Sequence, residues 1–230
     1  MKFTKKVSFK KYKYLLFDVD DTLLDFQKAE FNAFLMLLAE YGIDYKDEYY
    51  AIYKNENHRL WKEYELGNIK RNEIFDNRMI PLFKALNISD DPKEASYRFL
   101  TYLSKGAYLI GNTYKVLEKL SKKYQLYVIT NGEPSVQYPR LNEVGITKFF
   151  NGIYVSEEIG YSKPNKEFFE YIESHIEGFN KEEAIVIGDS LTSDIKGAIN
   201  FGIDTCWFNP NNKTTDLKVT YTISSIDEIR

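Results

Sequence analysis

The sequence has little of three things: cysteine, histidine and long apolar runs. Its one cysteine, Cys206, has no partner for an intrachain disulfide, and we expect a small buried hydrophobic residue there. Two histidines, His58 and His175, do not suffice for a histidine-rich zinc site, so any bound metal should be a hard ion held by oxygen. The longest apolar run, residues 33–39, is far shorter than the roughly 20 residues that cross a bilayer, so we expect no membrane span.

The sequence also lacks an excess of basic charge. Its net charge of −3 does not favour binding to a nucleic acid polymer, which calls for a basic surface. Six lysines do stand among the first thirteen residues, and we interpret them as a solvated start and edge of the first strand: Lys2, Lys5, Lys6, Lys10, Lys11 and Lys13. No apolar segment or small-residue cleavage site follows them, so we expect no signal peptide and a cytoplasmic location.

Short apolar runs rich in Val, Ile, Tyr and Phe recur along the chain, and each ends in polar or glycine residues. They predict strands at 13–20, 125–132, 152–158, 184–190, 203–209 and 219–223. Helical patterns alternate with them at 112–124, 135–145, 165–176 and 192–202. This alternation predicts an α/β fold, a parallel sheet with helices on both faces.

One long segment breaks the alternation, because from about Gln27 to Gly106 there is helical spacing and no convincing strand. Glycine and proline divide it into three or four predicted helices, at Gly42, Gly67, Pro81 and Pro92. An all-helical insert after the first strand indicates a second domain. We therefore predict an α/β core at 1–25 and 107–230 and a helical domain at 26–106.

The first predicted strand runs directly into Asp18 and Asp20. Crowded carboxylates repel one another and cost stability unless a cation neutralises them, so this cluster indicates function. In open α/β sheets, ligands bind beyond the carboxyl ends of the strands. The other polar groups expected near that edge are Thr130, Asn131, Lys163, Asp189 and Asp194.

This set of groups suits magnesium and a phosphate. Mg²⁺ is a hard cation that binds carboxylates, and its usual co-ligand is a phosphate. Thr130 and Lys163 would supply a donor and a positive charge for phosphate oxygens. A carboxylate can itself be the nucleophile and form an aspartyl-phosphate. We expect the chain to turn after Asp18, and Asp20 could then serve as general acid and base.

At this point the residues resemble the haloacid dehalogenase superfamily of phosphatases. Its four motifs are matched in order by residues 18–22 (DVDDT), 130–132 (TNG), 163–164 (KP) and 188–190 (GDS), the last with Asp194. The resemblance covers nearly the whole chain. It implies a Rossmann-like core, and it implies that the helical insert is the C1 cap of that superfamily.

The resemblance also implies a role for each site residue. Asp18 would be the nucleophile and Asp20 the general acid and base. The implied ligands of Mg²⁺ are Asp18, the backbone carbonyl of Asp20, Asp189 and, through water, Asp194. The implied phosphoryl-binding groups are Thr130, the backbone of Asn131, and Lys163.

We also predict roles for two residues of the turn after the first strand and for two aromatic residues of the helical insert. We expect Asp21 to face solvent or cap the turn, and Thr22 to support the turn by bonding to backbone. In the helical insert, Trp61 and Tyr64 share a helix face, where packing between helices is the favoured role and a base-stacking platform the alternative.

A narrower resemblance is to the pyrimidine 5′-nucleotidase branch of the superfamily, on stretches such as "ITNGEPSVQYPRL" and "GDSLTSDIKGAINFG". It implies a small phosphate ester as substrate, a nucleoside monophosphate such as dUMP, UMP or dTMP. The net charge and the short apolar runs predict neither a nucleic acid polymer nor a membrane as partner. The oligomeric state stays open.

Several alternatives remain at this stage. A phosphatase of phosphoglycolate or of a sugar phosphate is the nearest, and a β-phosphomutase-like enzyme would return the phosphate to its substrate. A dehalogenase would not need the Asp20 acid. A receiver-like signalling domain also gathers acidic residues around Mg²⁺, but the helical insert and the position of Lys163 in the order of motifs oppose it. The complete set of polar groups opposes a non-catalytic binding protein.

Overall fold

The computed structural model describes residues 7–230. Three of the amino-terminal lysines, Lys2, Lys5 and Lys6, lie outside the described residues. The other three are exposed, as predicted: Lys10, Lys11 and Lys13. The described residues form two compact units, one up to Phe26 together with Ala107–Arg230, and the other Gln27–Gly106.

Six strands in the described residues form one sheet in the first unit: β1 (Tyr14–Phe17), β2 (Gln125–Thr130), β3 (Gly152–Val155), β4 (Ala184–Gly188), β5 (Asp204–Phe208) and β6 (Tyr221–Ile223). The order is β3-β2-β1-β4-β5-β6, and every neighbouring pair is parallel. β1 therefore lies between β2 and β4, with Phe17 paired to Val128 on one side and Ile187 on the other. The predicted α/β class with a parallel sheet is confirmed.

Five helices begin within residues 26–103, all of them described: α1 (Phe26–Glu40), α2 (Asp47–Glu65), α3 (Arg71–Asn77), α4 (Ile80–Leu86) and α5 (Pro92–Leu103). The prediction of three or four helices is therefore wrong. All four marker residues lie in a break or in the first turn after one, so they separate five helices and not three or four. Pro81 lies in the first turn of α4, where proline starts a helix because the backbone N–H there has no helical partner.

Aromatic residues pack the helical unit together. The ring of Trp61 meets that of Tyr64 on the same helix at 5.9 Å between centroids and that of Phe75 on α3 at 6.4 Å, both edge to face. The Arg71 guanidinium lies 5.4 Å from the centre of the Trp61 ring. The predicted packing role of Trp61 is confirmed.

The first unit contains a second set of helices that cover the sheet: α6 (Thr113–Leu120), α7 (Pro134–Glu143), α8 (Ser156–Ile159), α9 (Lys166–His175) and α10 (Lys196–Phe201). Short 3₁₀ segments occupy Thr147–Phe149, Lys181–Glu183 and Ile226–Glu228, and a π-helical turn spans Leu191–Ile195. None of the helices in residues 7–230 combines the length and the apolar composition of a membrane span.

Alternation along β1 divides the core of this unit into two layers. Leu15 and Phe17 point to one face, where they join apolar side chains of α6 and α7. Tyr14 and Leu16 point to the other, where they join side chains of α9 and α10. Successive side chains of a strand face opposite ways, so a strand buried on both faces needs an unbroken apolar run. The first polar side chain after this run is Asp18, at the carboxyl edge of the sheet.

Candidate active site

The chain turns sharply after β1. The backbone N–H of Asp18 still donates to the Ile187 carbonyl of β4 at 2.9 Å, so Asp18 remains attached to the sheet edge. The N–H of Leu23 then donates to the Val19 carbonyl at 2.8 Å, and Asp21 adopts a positive φ of 57°. The predicted turn is confirmed, and it carries Asp20 out of the strand direction.

Two residues of this turn have clear local roles. The Asp21 carboxylate accepts a hydrogen bond from the Phe26 N–H at 3.0 Å, so it caps the turn that leads into α1, as one of the two predictions had it. The hydroxyl of Thr22 is buried and has no hydrogen-bond partner among the described residues, so the prediction that it bonds to backbone is wrong. Backbone groups close the turn instead, because the Val19 carbonyl accepts hydrogen bonds from the N–H groups of Thr22, Leu23 and Leu24.

A buried ammonium group joins three parts of the chain. Lys163 Nζ donates to Asp18 Oδ1 at 2.7 Å, to Asp194 Oδ1 at 2.7 Å and to the Ile129 carbonyl at 2.8 Å. Burial by itself lowers the pKa of Lys163, but the charges of Asp18 and Asp194 outweigh it and raise that pKa above its ordinary value. Lys163 is therefore a permanent cation at the edge of the sheet.

Three carboxylates surround this cation. Asp18, Asp189 and Asp194 each have an oxygen within 4.8 Å of the other two. Burial and the charge of Asp194 raise the pKa of Asp18 well above its ordinary value, and the same two causes raise the pKa of Asp189 to about 8. One lysine does not balance three carboxylates, and the repulsion that remains is what a bound divalent cation relieves.

The loop after β4 is fixed by local contacts. The Asp189 carbonyl accepts a hydrogen bond from the indole N–H of Trp207 on β5 at 2.9 Å, and Asp194 Oδ2 accepts from the Ser190 N–H at 3.1 Å. A Cβ at Gly188 would lie 2.3 Å from Asp194 Oδ2, so only glycine leaves room for this carboxylate. Sequence reasoning did not identify Trp207, because nothing in the run "DTCWF" shows which way the indole points.

Asn131 connects the loop after β2 with the loop that carries Lys163. Its side-chain amide donates to the Lys163 carbonyl at 2.8 Å and accepts from the Lys163 N–H at 2.9 Å. This reciprocal pair holds the two loops side by side. Thr130, the last residue of β2, accepts a hydrogen bond on its hydroxyl oxygen from the Gly132 N–H at 3.0 Å.

Asp20 is held by two residues that the sequence analysis did not place in the site. Asp20 Oδ1 accepts from Arg140 Nη1 at 2.5 Å, and Oδ2 accepts from Gln137 Nε2 at 2.6 Å. Gln137 Nε2 also lies 3.2 Å from Thr130 Oγ1. The side chain of Asp20 is not part of the group of three carboxylates. The available signal was the spacing of three residues between Gln137 and Arg140 in the helix that follows the TNG motif.

The predicted site residues thus form a connected set. Asp18 and Asp194 contact Lys163 directly, Asp189 lies beside both carboxylates, Asn131 binds the backbone of Lys163, and Gln137 links Thr130 to Asp20. The carboxyl ends of β1, β2 and β4 supply this set, as expected for a ligand site of an open α/β sheet. The arrangement offers two separate carboxylates, a fixed cation and a hydroxyl, which suits acid–base and nucleophilic chemistry on an anionic substrate.

Comparison with known proteins agrees with this chemistry. Residues 15–208 match the family described as haloacid dehalogenase-like hydrolase. Pyrimidine 5′-nucleotidase PynA of Streptococcus pneumoniae is 38% identical over 95% of this chain and 93% of its own length. Pyrimidine 5′-nucleotidase YjjG of Escherichia coli is 27% identical over 95% of this chain and 96% of its own.

A solved structure resembles the chain closely. The crystal structure of YfnB from Bacillus subtilis bound to magnesium has a TM-score of 0.89 and 39% sequence identity, and the match covers 94% of this chain and 96% of that one.

Proposed function

Because the chain belongs to the haloacid dehalogenase-like hydrolases, we propose that it is a Mg²⁺-dependent phosphatase that hydrolyses pyrimidine nucleoside monophosphates through an aspartyl-phosphate. The family resemblance drawn from its motifs is confirmed. The observation that carries the proposal is the buried contact of Lys163 Nζ with Asp18 and Asp194, at 2.7 Å each. It combines a carboxylate nucleophile with a fixed positive charge for the incoming phosphate.

The residues at this edge fit a magnesium ion. The three carboxylates supply only oxygen donors, which a hard cation prefers. Burial and the charge of Asp194 raise the pKa of Asp18 and of Asp189, so a cation would favour the ionised forms of both. Asp18, Asp189 and Asp194 would hold the ion together with the predicted backbone carbonyl of Asp20. When bound, it would neutralise charge on the phosphoryl oxygens. The crystal structure of YfnB bound to magnesium supports this assignment.

Three groups would act on the phosphoryl oxygens, one through its charge and two as hydrogen-bond donors. The N–H donors of Lys163 are all engaged with oxygen acceptors of the protein, so we assign Lys163 an electrostatic part and the positioning of Asp18. The Thr130 hydroxyl and the backbone N–H of Asn131, both at the carboxyl end of β2, would donate hydrogen bonds. Such donors stabilise the charge that develops in phosphoryl transfer.

In the first step the Asp18 carboxylate attacks the phosphorus of the ester. A bond forms between its oxygen and phosphorus, the bond from phosphorus to the ester oxygen breaks, and the leaving alkoxide takes a proton from the Asp20 carboxyl. The products are the free nucleoside, a phosphorylated Asp18 and a deprotonated Asp20.

In the second step water attacks the phosphorus of the aspartyl-phosphate and gives its proton to Asp20. The bond between phosphorus and the Asp18 oxygen breaks, so inorganic phosphate leaves and both aspartates return to their starting protonation. Two carboxylates are needed because one is covalently occupied when the other must accept the proton.

The choice of a pyrimidine nucleotide depends on the relatives. PynA and YjjG carry the name pyrimidine 5′-nucleotidase, and PynA is 38% identical over nearly the full length. We propose dUMP, UMP and dTMP as substrates on this ground. We also propose that the helical unit, Gln27–Gly106, serves as a cap domain, which in many enzymes excludes water from the reaction.

One measurement tests this proposal: release of inorganic phosphate across a panel of nucleoside monophosphates, sugar phosphates and phosphoglycolate, with Mg²⁺ and with EDTA. We expect the highest kcat/KM on dUMP, UMP or dTMP, and activity only with the metal. A clear preference for phosphoglycolate or a sugar phosphate would overturn the nucleotide part alone. No phosphate release from any ester of the panel would overturn the enzymatic proposal.

A further inference from the structure

The Asp20 carboxylate is fixed at both of its oxygens by one helix. Arg140 Nη1 donates to Oδ1 at 2.5 Å and Gln137 Nε2 donates to Oδ2 at 2.6 Å, and both donors belong to α7. The side chain of Arg140 is fully buried, whereas that of Asp20 is 27% exposed. Burying a guanidinium is costly unless a charged partner compensates it, so this contact is a specific feature of the fold.

The position of α7 follows from the motif that precedes it. The helix begins at Pro134, directly after the Thr130–Gly132 loop, and proline is favoured in a first helical turn. Residues three apart in a helix share a face, so Gln137 and Arg140 project together. The helix that follows the phosphate-binding loop therefore also reaches the loop after β1.

Gly132 makes the approach of Gln137 possible. A Cβ at this position would lie 1.9 Å from Gln137 Nε2 and 2.6 Å from its Cδ. Any other residue would thus displace the amide that contacts Asp20. This is a steric reason for glycine in the TNG motif of this chain, independent of backbone conformation.

Gln137 also acts on the phosphate-binding hydroxyl. Thr130 Oγ1 accepts one hydrogen bond from Gly132 N at 3.0 Å and another from Gln137 Nε2 at 3.2 Å. A hydroxyl has one proton and two acceptor sites, and both acceptor sites are used. The proton has no acceptor among the described residues, so it is available for an oxygen of a bound phosphoryl group.

We infer that Gln137 and Arg140 are positioning residues of the hydrolysis. Together they hold the Asp20 carboxyl in place for proton transfer, and Gln137 in addition directs the Thr130 hydroxyl proton towards the phosphoryl group. Each carboxylate oxygen has two acceptor sites, so Oδ2 can accept the Gln137 amide and still carry the transferred proton. This inference rests on the proposed phosphatase chemistry but not on the identity of the nucleoside.

The inference makes the effect of a substitution depend on the leaving group. A nucleoside alkoxide leaves poorly and needs the proton of Asp20, whereas 2,4-dinitrophenolate leaves well without one. A loss of Asp20 positioning therefore slows the first step for nucleotides and spares it for dinitrophenyl phosphate. General damage to the fold or to phosphate binding slows both.

The test is the rate of the first step, measured by rapid quench with Mg²⁺ as release of the nucleoside from the best nucleotide of the panel and of dinitrophenolate from 2,4-dinitrophenyl phosphate. We expect Arg140→Met to slow the nucleotide reaction by about a hundredfold, the lower range of general acid catalysis, and the dinitrophenyl reaction by no more than about threefold. Gln137→Met, which removes the amide but keeps the size, serves if Arg140→Met does not fold. It should slow the dinitrophenyl reaction moderately, because the Thr130 hydroxyl also loses a partner, and the nucleotide reaction clearly more.

Two controls make the result specific. Tyr138→Phe removes a 2.7 Å hydrogen bond to Glu158 from the same helix without touching Asp20, and it should leave both rates unchanged. In an Asp20→Asn background, Arg140→Met should cause little further loss of the nucleotide rate, because residues that act through one group are not additive.

The outcomes separate the two proposals. Equal losses on both substrates, or no loss on either, would overturn the positioning role while leaving the phosphatase intact. Full additivity of Asp20→Asn and Arg140→Met would also overturn it. If the unmodified protein releases phosphate from no ester, the proposed function itself has failed.

Discussion

Both units of this protein bury carboxylates, but they compensate them differently. In the helical unit, the buried Glu30 accepts hydrogen bonds from the Tyr53 hydroxyl at 3.1 Å, the Asn57 amide at 3.0 Å and the Tyr50 hydroxyl at 3.3 Å. Burial raises the pKa of Glu30, while Lys54 and the two tyrosine hydroxyls act in the opposite direction. One carboxylate thus has several donors, as the interior of a stable protein requires.

At the carboxyl edge of the sheet, by contrast, the carboxylates outnumber the cation that compensates them. Lys163 is the cation shared between Asp18 and Asp194, and Asp189 lies close to both carboxylates. Burial, and after it the excess of negative charge, raise the pKa of Asp18 and of Asp189. A buried carboxylate with enough donors is structural, and a group of carboxylates with too few cations is prepared for a ligand.

The largest effect expected from this comparison is on turnover. Asp18→Asn removes the proposed nucleophile and should reduce kcat by at least about a thousandfold. The fold should persist, because the substitution also removes one of three mutually repelling charges. Phosphate release and a thermal melt measure the two effects. Near-normal phosphate release would contradict the assignment of Asp18.

Glu30→Ala is the matched substitution in the helical unit. It leaves the donors of Tyr53 and Asn57 without their acceptor and should lower the free energy of unfolding by about 2–3 kcal/mol, measured in urea. The kcat of the folded protein should stay unchanged. If Glu30→Ala abolished turnover without affecting stability, the distinction between the two buried groups would fail.

A smaller effect should appear in the pH dependence of stability without metal. Asp189 has a pKa of about 8 in the folded protein against an ordinary value of 3.8, so between these values the folded state binds a proton that the unfolded state lacks. Its contribution to the free energy of unfolding should therefore fall as the pH rises through this window, and remain low above pH 8. Tm measured in EDTA should show this fall, and Asp189→Asn should flatten it.

The effect of Mg²⁺ on Tm should also depend on pH. A bound cation replaces the proton as the partner of the carboxylates, so adding Mg²⁺ should raise Tm more at pH 8 than at pH 5. Equal slopes in the unmodified protein and in Asp189→Asn, or a Tm that does not respond to Mg²⁺, would contradict the uncompensated charge at the sheet edge.

The smallest expected effect concerns the turn that follows β1. The Thr22 hydroxyl is buried without a partner among the described residues, so Thr22→Val should keep the free energy of unfolding or increase it by about 1 kcal/mol. Urea unfolding measures this. A clear loss of stability would show that the hydroxyl has a partner after all, and would restore the expected supporting role.

Much of the α/β unit could be predicted from local sequence. Runs such as "AIVIG" are apolar without interruption, and a strand buried on both faces requires this, so all six strands and their parallel arrangement followed. The helix count of the other unit was predicted wrongly, although each of its four glycine and proline markers lies at a break. The break at Arg78 and Met79 directly precedes the first turn of α4, which contains Pro81.

The site residues were likewise predictable only in part from the local sequence. Asp18, Thr130 and Asp189 each follow or end a predicted strand, and parallel strands place such residues at one edge. The position of the Asp20 side chain depends instead on a hydrogen bond from Arg140 of α7, which lies 120 residues away in the sequence. No local pattern specifies such a contact, because it depends on the direction of side chains from separate elements.

The sequence by itself determined which residues end the strands and therefore which charges meet at the edge of the sheet, because backbone pairing and burial follow from local composition. The tertiary structure alone decided how those charges are shared: Lys163 between Asp18 and Asp194, and Asp20 between Gln137 and Arg140. Hydrogen bonds depend on distances of a fraction of an ångström, and only the packed side chains set those distances.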